Sequence, residues 1–342
     1  ANTAIGRAAG TFMTTQINNT YVGSQAGYSA AGQYNTFLGA LAGYNTSSDL
    51  GNMNIFVGFG AAQNMQGAAE RNIAIGTYAM FSDTDATSST AHNIAIGHES
   101  MKEISTGYNN IAIGRETLLN AKSGYNNVAV GYNSLYSITS GEENIGIGKD
   151  AGRAITTGTQ NTLLGDEAGE NLIGGGYNVA IGSDALKTST AANYSIAIGK
   201  NAMSSGDVTA SRFTIGIGYA ALQNATSAGE SVMIGSYAGD AITTGGDNVG
   251  VGHAALSTIA GGVGNTAVGR EAMRDIAAGG NYNTGIGMGV FGYGGGTQVG
   301  NLGAGWGAGY YPSGNYNVFM GFKAGYGNSS TKSAHQNVGI GS

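Results

Sequence analysis

Asn110-Ile-Ala-Ile-Gly114, Asn127-Val-Ala-Val-Gly131 and Asn144-Ile-Gly-Ile-Gly148 stand 17 residues apart. The same pentapeptide (Asn, β-branched, small, aliphatic, Gly) recurs from Asn2-Thr-Ala-Ile-Gly6 to Asn337-Val-Gly-Ile-Gly341. Its first residue falls at 2, 19, 35, 54, 72, 93, 110, 127, 144, 161, 178, 195, 214, 231, 248, 265, 283, 301, 317 and 337, with Ser195, Thr214 and Ser231 standing in for Asn. Self-similarity at a fixed step outranks any other motif, because each unit packs mainly on its neighbours and the array grows in one dimension. The expected fold is therefore all-β: a parallel β-solenoid (β-roll) of about 20 coils with a ~17-residue repeat, covering 1–342 as a single array.

Composition agrees with a packed structure made of small residues. Glycine accounts for 63 of 342 residues without a Gly-X-Y period, which excludes collagen, and 41% apolar residues exclude disorder. Only 10% of residues are charged and the net charge is -6, so there is no basic footprint for nucleic acid and no amphipathic or apolar segment for membrane insertion. The chain has no cysteine, which removes disulfides and thiolate metal sites and suits an extracellular or virion surface. It opens at Ala1 inside a repeat, without initiator Met or signal sequence, and so reads as a fragment or a processed product.

Placing the copies in register gives each position a role. Alternation with β-branched enrichment predicts a short strand whose second and fourth pentapeptide residues point inward. The third, mostly Ala or Gly (Ala74, Ala95, Ala112, Gly146, Ala180, Gly250, Gly285), then forms an outer face suited to close approach of partner chains. Three residues after the motif Gly the side chain is nearly always Ala. The next residue alternates between Gly (Gly27, Gly43, Gly152, Gly169, Gly239) and a bulky group (Met101, Leu118, Leu135, Leu186, Leu222, Leu256), a second inward row of fixed volume. Ile104, Ile138, Ile155, Leu172, Ile242, Ile259 and Ile276 supply a third.

A further Gly (Gly107, Gly124, Gly141, Gly158, Gly175, Gly245, Gly262, Gly279) is expected to turn the chain with positive φ. Asn before the strand is expected in a left-handed or capping geometry, its amide pairing with the same Asn one coil away. At about 4.8 Å per coil, such an array would run roughly 95 Å.

The stretch Asn110-Ile-Ala-Ile-Gly114 through Tyr125-Asn-Asn-Val-Ala-Val-Gly131, with Asn2-Thr-Ala-Ile-Gly6 and Asn265-Thr-Ala-Val-Gly269, resembles the Asn-Thr-Ala-Val-Gly repeats of bacteriophage tail-fibre and tailspike proteins. It is also similar to the head repeats of trimeric autotransporter adhesins, whose coils are shorter. The resemblance covers the whole chain and implies a homotrimeric, non-enzymatic segment of a virion tail fibre used in host attachment, with a host surface glycan or outer-membrane protein as partner. A bacterial surface adhesin or extracellular filament of the same fold is the alternative. The end, Asn337-Val-Gly-Ile-Gly-Ser342, looks like the stretch that precedes a self-cleaving C-terminal chaperone in many tail fibres.

No catalytic constellation emerges. Glu142-Glu143, Asp166-Glu167 and the Asp83/Asp85 pair offer carboxylates, as a polysaccharide depolymerase would need, but adjacent strand residues face opposite ways and charge clusters usually solvate loops. His92, His98, His253 and His335 lack metal spacing, so neither metal nor cofactor is expected. Corner pairs such as Arg115-Glu116, Lys149-Asp150 and Arg270-Glu271 read as solubilising charge. Tyr28, Tyr44, Tyr310 and Tyr326, equivalent in the repeat, are expected to stack, as are Tyr34, Tyr177, Tyr282 and Tyr316.

The repeat is most degenerate over 287–316, where Phe291, the only Trp, the only Pro and Ala304 in an aliphatic position gather. Local departures of this kind mark function or an adapted end, and Tyr293, Trp306, Tyr310 and Tyr311 are the receptor-binding candidates. Longer steps place inserted loops near Asp49, Asp83, Val208 and Ser330.

Overall fold

The computed structural model describes residues 1–46, 51–65, 67–82, 90–207, 213–276, 279–293, 297–311, 314–327 and 335–342. Contacts divide the chain into two compact units, Ala1–Gly174 and Gly175–Ser342. Both are all-β. The first carries three-residue strands from β1 (Thr3–Ile5) to β10 (Thr162–Leu164), the second from β11 (Val179–Ile181) to β20 (Val338–Ile340). Within each unit every strand pairs in parallel with the strand one coil on. Ile111, Ala112 and Ile113 of β7 (Ile111–Ile113) lie opposite Val128, Ala129 and Val130 of β8 (Val128–Val130), which in turn face Ile145, Gly146 and Ile147 of β9 (Ile145–Ile147). The architecture is the parallel β-solenoid expected from the repeat, with one short strand per coil. The lengthened steps near Asp49, Asp83, Val208 and Ser330 fall outside the described residues.

Strands are short because the coil turns at several left-handed residues. In one coil Asn126 (φ 55°), Asn133 (φ 53°) and Leu135 (φ 50°) are left-handed and Gly131 has φ 131°, and the next coil opens the same way at Glu143 (φ 57°). An L-residue resists this geometry by about 1–2 kcal/mol. The coil holds it with backbone bonds to both neighbours: Val128 N–H and Leu135 N–H donate forward to Asn144 O (2.8 Å) and Ala151 O (2.9 Å), while Gly131 and Asn133 donate back to Ile113 O (2.9 Å) and Arg115 O (3.2 Å). Pairing thus runs around the coil well beyond the strand. The motif Gly is required twice over: by its φ, and because a Cβ on Gly114 would lie 2.2 Å from Gly131 O of the next coil. The expected positive φ is found at Gly279 (φ 91°) but not at Gly107, Gly124 and Gly141. Glycine is needed there for close approach, since a Cβ on Gly107 would meet Gly124 O at 2.6 Å and the Asn110 amide at 3.1 Å.

The inward and outward faces of the strand are the reverse of the sequence expectation. Ala74, Ala95, Ala112, Ala129 and Ala180, at the strand centre, are fully buried, as are Tyr21, Phe37, Phe56, Leu163 and Met233 at equivalent places. The flanking aliphatics face out: Ile75, Ile113, Ile145, Ile147 and Leu164 are exposed, Ile113 at 40%. The small row is therefore interior and cannot receive partner chains. So many corners close the coil tightly that its interior is only a few side chains across.

That narrow interior explains the bulky row, which is buried as expected. Strand centre and the residue six positions later share one space. Where the centre is Tyr21, Phe37 or Leu163, the partner is Gly27, Gly43 or Gly169, whose Cβ would lie 2.7, 2.6 and 2.9 Å from the large side chain. Where the centre is Ala112 or Ala197, the partner is Leu118 or Met203. The third row, Ile104 to Ile276, completes the core.

Buried Asn residues line one side of each coil. The Asn127 N–H and Nδ2 both donate to Asn110 Oδ1 (3.0 and 3.1 Å), Nδ2 also donates to Gly141 O (2.9 Å), and Asn127 Oδ1 accepts from Asn144 N–H and Nδ2 (3.0 and 3.1 Å). Amide pairing with the next coil is as expected; the left-handed residue is the one before, Asn126, rather than the ladder Asn itself. In the second unit the substitutes keep part of the ladder, Ser195 N–H donating to Asn178 Oδ1 (3.0 Å) and Asn248 N–H to Ser231 Oγ (3.2 Å).

Two tests follow from the core. Asn127→Ala strands the Asn144 N–H and Gly141 O and should cost about 2–4 kcal/mol in denaturant unfolding, with Asn127→Ser losing less. Ala112→Leu overfills the space held by Leu118 and should cost about 1–3 kcal/mol. Adding Leu118→Gly recreates the Leu163/Gly169 arrangement and should return most of that loss, read from a double-mutant cycle.

Candidate functional site

The sequence-selected residues lie in the second unit, on coils whose backbone keeps the ladder. β17 (Thr284–Ile286) pairs with β18 (Leu302–Ala304) and β18 with β19 (Val318–Met320) in unbroken register. Ala304 replaces an aliphatic at an outward position, so it costs the core nothing. The departure from the repeat here is one of side chains, displayed on the coil corner that follows each motif Gly.

Three columns build the site. Arg270, Met288, Trp306 and Phe322 follow the motif Gly on successive coils; Glu271, Gly289, Gly307 and Lys323 come next; Arg274, Gly292, Tyr310 and Tyr326 stand three further on. Stacking in register brings like rings together: Trp306 lies on Phe322 at 5.0 Å and 14°, Tyr310 on Tyr326 at 4.8 Å and 8°. The Lys323 ammonium sits between these stacks, 5.0 Å from the Trp306 ring and 5.1 Å from Tyr326. Tyr293 packs at 5.0 Å on Tyr310, and Tyr311 meets Tyr310 edge-on at 5.0 Å. The Arg274 guanidinium covers Tyr293 at 4.6 Å and donates to Asp275 and Glu271 at 3.0 Å each. Tyr293, Tyr310 and Tyr311 therefore form one cluster, half-buried to exposed.

Trp306 joins the cluster through a cavity of about 210 Å³ lined by Arg270, Glu271, Met288, Gly289, Trp306, Gly307 and Tyr310. Tyr293 and Tyr311 buttress Tyr310 and do not line it. Sequence reasoning missed the glycine floor and the charges. The signal was present: Gly289 and Gly307 are the one place where two successive coils carry glycine at the second position after the motif Gly.

The first unit has a second concavity of about 210 Å³, lined by Gln63, Tyr78, Phe81, Glu99 and Lys102. Beside it His98, Glu99 and Glu116 bring potential ligand atoms within 4.8 Å of one another. Glu99 is paired with Lys102 (3.3 Å) and Glu116 with Arg115 (2.8 Å), so both carboxylates already have cations. The paired acids noted in the sequence are likewise engaged: Glu143 accepts from Gln160 (2.6 Å), and Asp166 and Glu167 flank Lys149 at 3.8 and 3.1 Å. Such exposed pairs contribute little, about 0–1 kcal/mol. Asp83 and Asp85 lie outside the described residues. Of the tyrosines expected to stack, Tyr28 meets Tyr44 at 5.5 Å, tilted by 34°, and Tyr177 stacks on Tyr194 at 4.8 Å, whereas among the described residues Tyr34, Tyr282 and Tyr316 join no ring pair. Among the described residues no helix is long and apolar enough to cross a membrane.

Comparison with protein-family models and with curated proteins finds no match for this chain.

Burial, with a hydrogen bond to Tyr293, pushes the Tyr310 hydroxyl from 10.0 up to about 12. A raised value means the fold favours the neutral phenol, so its contribution is complete below pH 10 and is lost as pH rises toward 12. Alkaline difference spectroscopy should show Tyr310→Phe losing a phenol from the late-titrating group.

Proposed function

We propose that this chain is a structural and adhesive segment of a phage tail fibre, non-enzymatic, assembled as a homotrimer and used in host-cell attachment. The carrying observation is the outward column of aliphatic residues beside each strand. Ile75, Ile113, Ile147 and Leu164 in the first unit, and Ile234, Val268, Ile286 and Met320 in the second, are exposed in the single chain. A soluble monomer rarely leaves contiguous apolar surface of this kind in water. The column is rigid and regular, because each strand fixes the next, and it excludes charge, which is confined to the corners. Parallel copies set side by side would cover it with like residues at matching heights, as closed homo-oligomers do.

The fold supports the attachment role by presenting identical surface sites on each copy, so that weak contacts add by avidity. The aromatic cluster at Tyr293, Trp306, Tyr310 and Tyr311 is the attachment surface in this reading, and a glycan or outer-membrane protein of the host cell the partner.

Light scattering should give three times the chain mass for the purified protein, and Ile113→Lys with Ile147→Lys should reduce it to one. Both positions are exposed in the single chain, so the fold itself should change by no more than about 0.5 kcal/mol. A well-folded wild-type monomer would contradict the trimer. Labelled protein should sediment with cells of susceptible bacterial strains; failure to bind any strain of a broad panel would contradict attachment.

A further inference from the structure

We infer that the notch between Trp306 and Tyr310 is a binding site for a carboxylated sugar, of the uronic or sialic acid type. The inference deepens the attachment reading, on which it rests for the cell-surface source of the ligand. The notch itself is argued from side chains alone.

Its floor is a gap that backbone geometry does not demand. Gly289 and Gly307 have φ 63° and 62°, yet Glu271 and Lys323 in the same column adopt 56° and 53°, and Gln25 and Leu41 occupy equivalent places with 58° and 60°. Glycine is therefore not needed for the turn. A Cβ at Gly289 or Gly307 would find its nearest neighbour at 3.4 and 3.5 Å, an ordinary contact, so the space above the floor is open rather than filled by packing. Two successive side chains are missing from the column, and the opening they leave is two coils high.

The walls match a sugar ring. Met288 and Trp306 form one side and Tyr310 the other, with Trp306 39% exposed. Rings with an apolar body and a polar tip suit a ligand whose C–H face is apolar and whose rim carries hydroxyls. Arg270 and Glu271 at one end offer donors and acceptors to that rim.

Charge selects the acid. Arg270 and Glu271 line the notch, Arg274 pairs with Glu271 and Asp275 beside it, and Lys323 lies on the Trp306 ring that forms its wall; these three cations and two carboxylates leave one positive charge in excess. Glu271 is shared by Arg270 at 3.3 Å and Arg274 at 3.0 Å, and Asp275 is held by Arg274. Among the described residues no carboxylate pairs with Lys323; its ammonium rests against the rings of Trp306, Phe322 and Tyr326. A cation held by ring faces keeps its charge available to an anion in the notch.

Trp306 is the only tryptophan, so its fluorescence reports this site directly. Titration of the whole chain with oligogalacturonate and with N-acetylneuraminic acid should change that emission saturably for at least one of them, and methyl-esterified oligogalacturonate or neutral galactose should bind more weakly. Gly289→Leu and Gly307→Gln, which place side chains already accommodated at Leu41 and Gln25, should lower affinity about tenfold or more while the protein stays folded, the stability loss being limited to the small cost of a left-handed L-residue. Lys323→Gln should weaken the acids and leave neutral sugars unaffected. No saturable change with either acid, equal affinity for acid and ester, or undiminished binding by the two filled variants would overturn the site. If the filled variants lose sugar binding while the wild type proves monomeric and binds no cells, the site stands and the fibre reading fails. If trimer and cell binding persist but sugars do not bind, the reverse holds.

Discussion

Each coil depends on having its backbone polar groups satisfied by the coils on either side. A single coil cannot be stable by itself: it is thin, rich in left-handed residues and built around a buried carboxamide that would be orphaned without neighbours. Stacking resolves these costs together. The Asn ladder takes the backbone N–H before each strand and the carbonyl at the far turn, so one side chain per coil closes the cross-section and fixes the step. Ser195, Thr214 and Ser231 show how far the ladder can be thinned: the Thr214 hydroxyl donates to Ala228 O and the Ser231 hydroxyl accepts from Asn248 N–H, one neighbour each, and the strands beside them remain in register.

Everything else in the coil follows from how little space that closure leaves. The interior admits a large side chain either at the strand centre or six residues on, which is why Tyr21, Phe37 and Leu163 face Gly27, Gly43 and Gly169. In the coils of Gly146/Gly152 and Gly303/Gly309 both places are glycine, and large residues of adjoining coils fill the gap: Leu135 and Leu163 in the first case, Phe291 and Phe319 in the second. Core volume is thus balanced over neighbouring coils and not strictly within one. The β-branched residues that would ordinarily form a core are displaced to the outside, where they pack in columns along the strand ladder.

The step, the strand position and the Asn ladder were legible in the sequence because each recurs with few exceptions: Asn at one corner, Gly at the other. Which face of the strand points inward was not. An alternation of period two distinguishes two faces but does not say which is buried, and β-branched aliphatics were the natural choice for the interior. The exceptions held the answer, since aromatic residues enter the strand centre only where the later position is small. The site was half legible. Tyr293, Tyr310 and Tyr311 do come together, because equivalent positions stack, whereas Arg270, Glu271 and Lys323 reach Trp306 only through coils laid side by side, and the glycine floor is visible only as missing side chains in a column.

The same columnar logic joins fold to function. A scaffold whose every coil is fixed by its neighbours holds a surface feature spread over two or three coils as firmly as a core, and it displays apolar columns ready for parallel copies. The central claim is that buried carboxamides hold the coils together. Adjacent residues test it, since Asn109 and Asn126 are exposed while Asn110 and Asn127 belong to the ladder. Hydrogen exchange of side-chain amide protons in Asn-labelled protein should find those of Asn110 and Asn127 strongly protected and those of Asn109 and Asn126 exchanging rapidly. Equal, rapid exchange at all four would contradict the account.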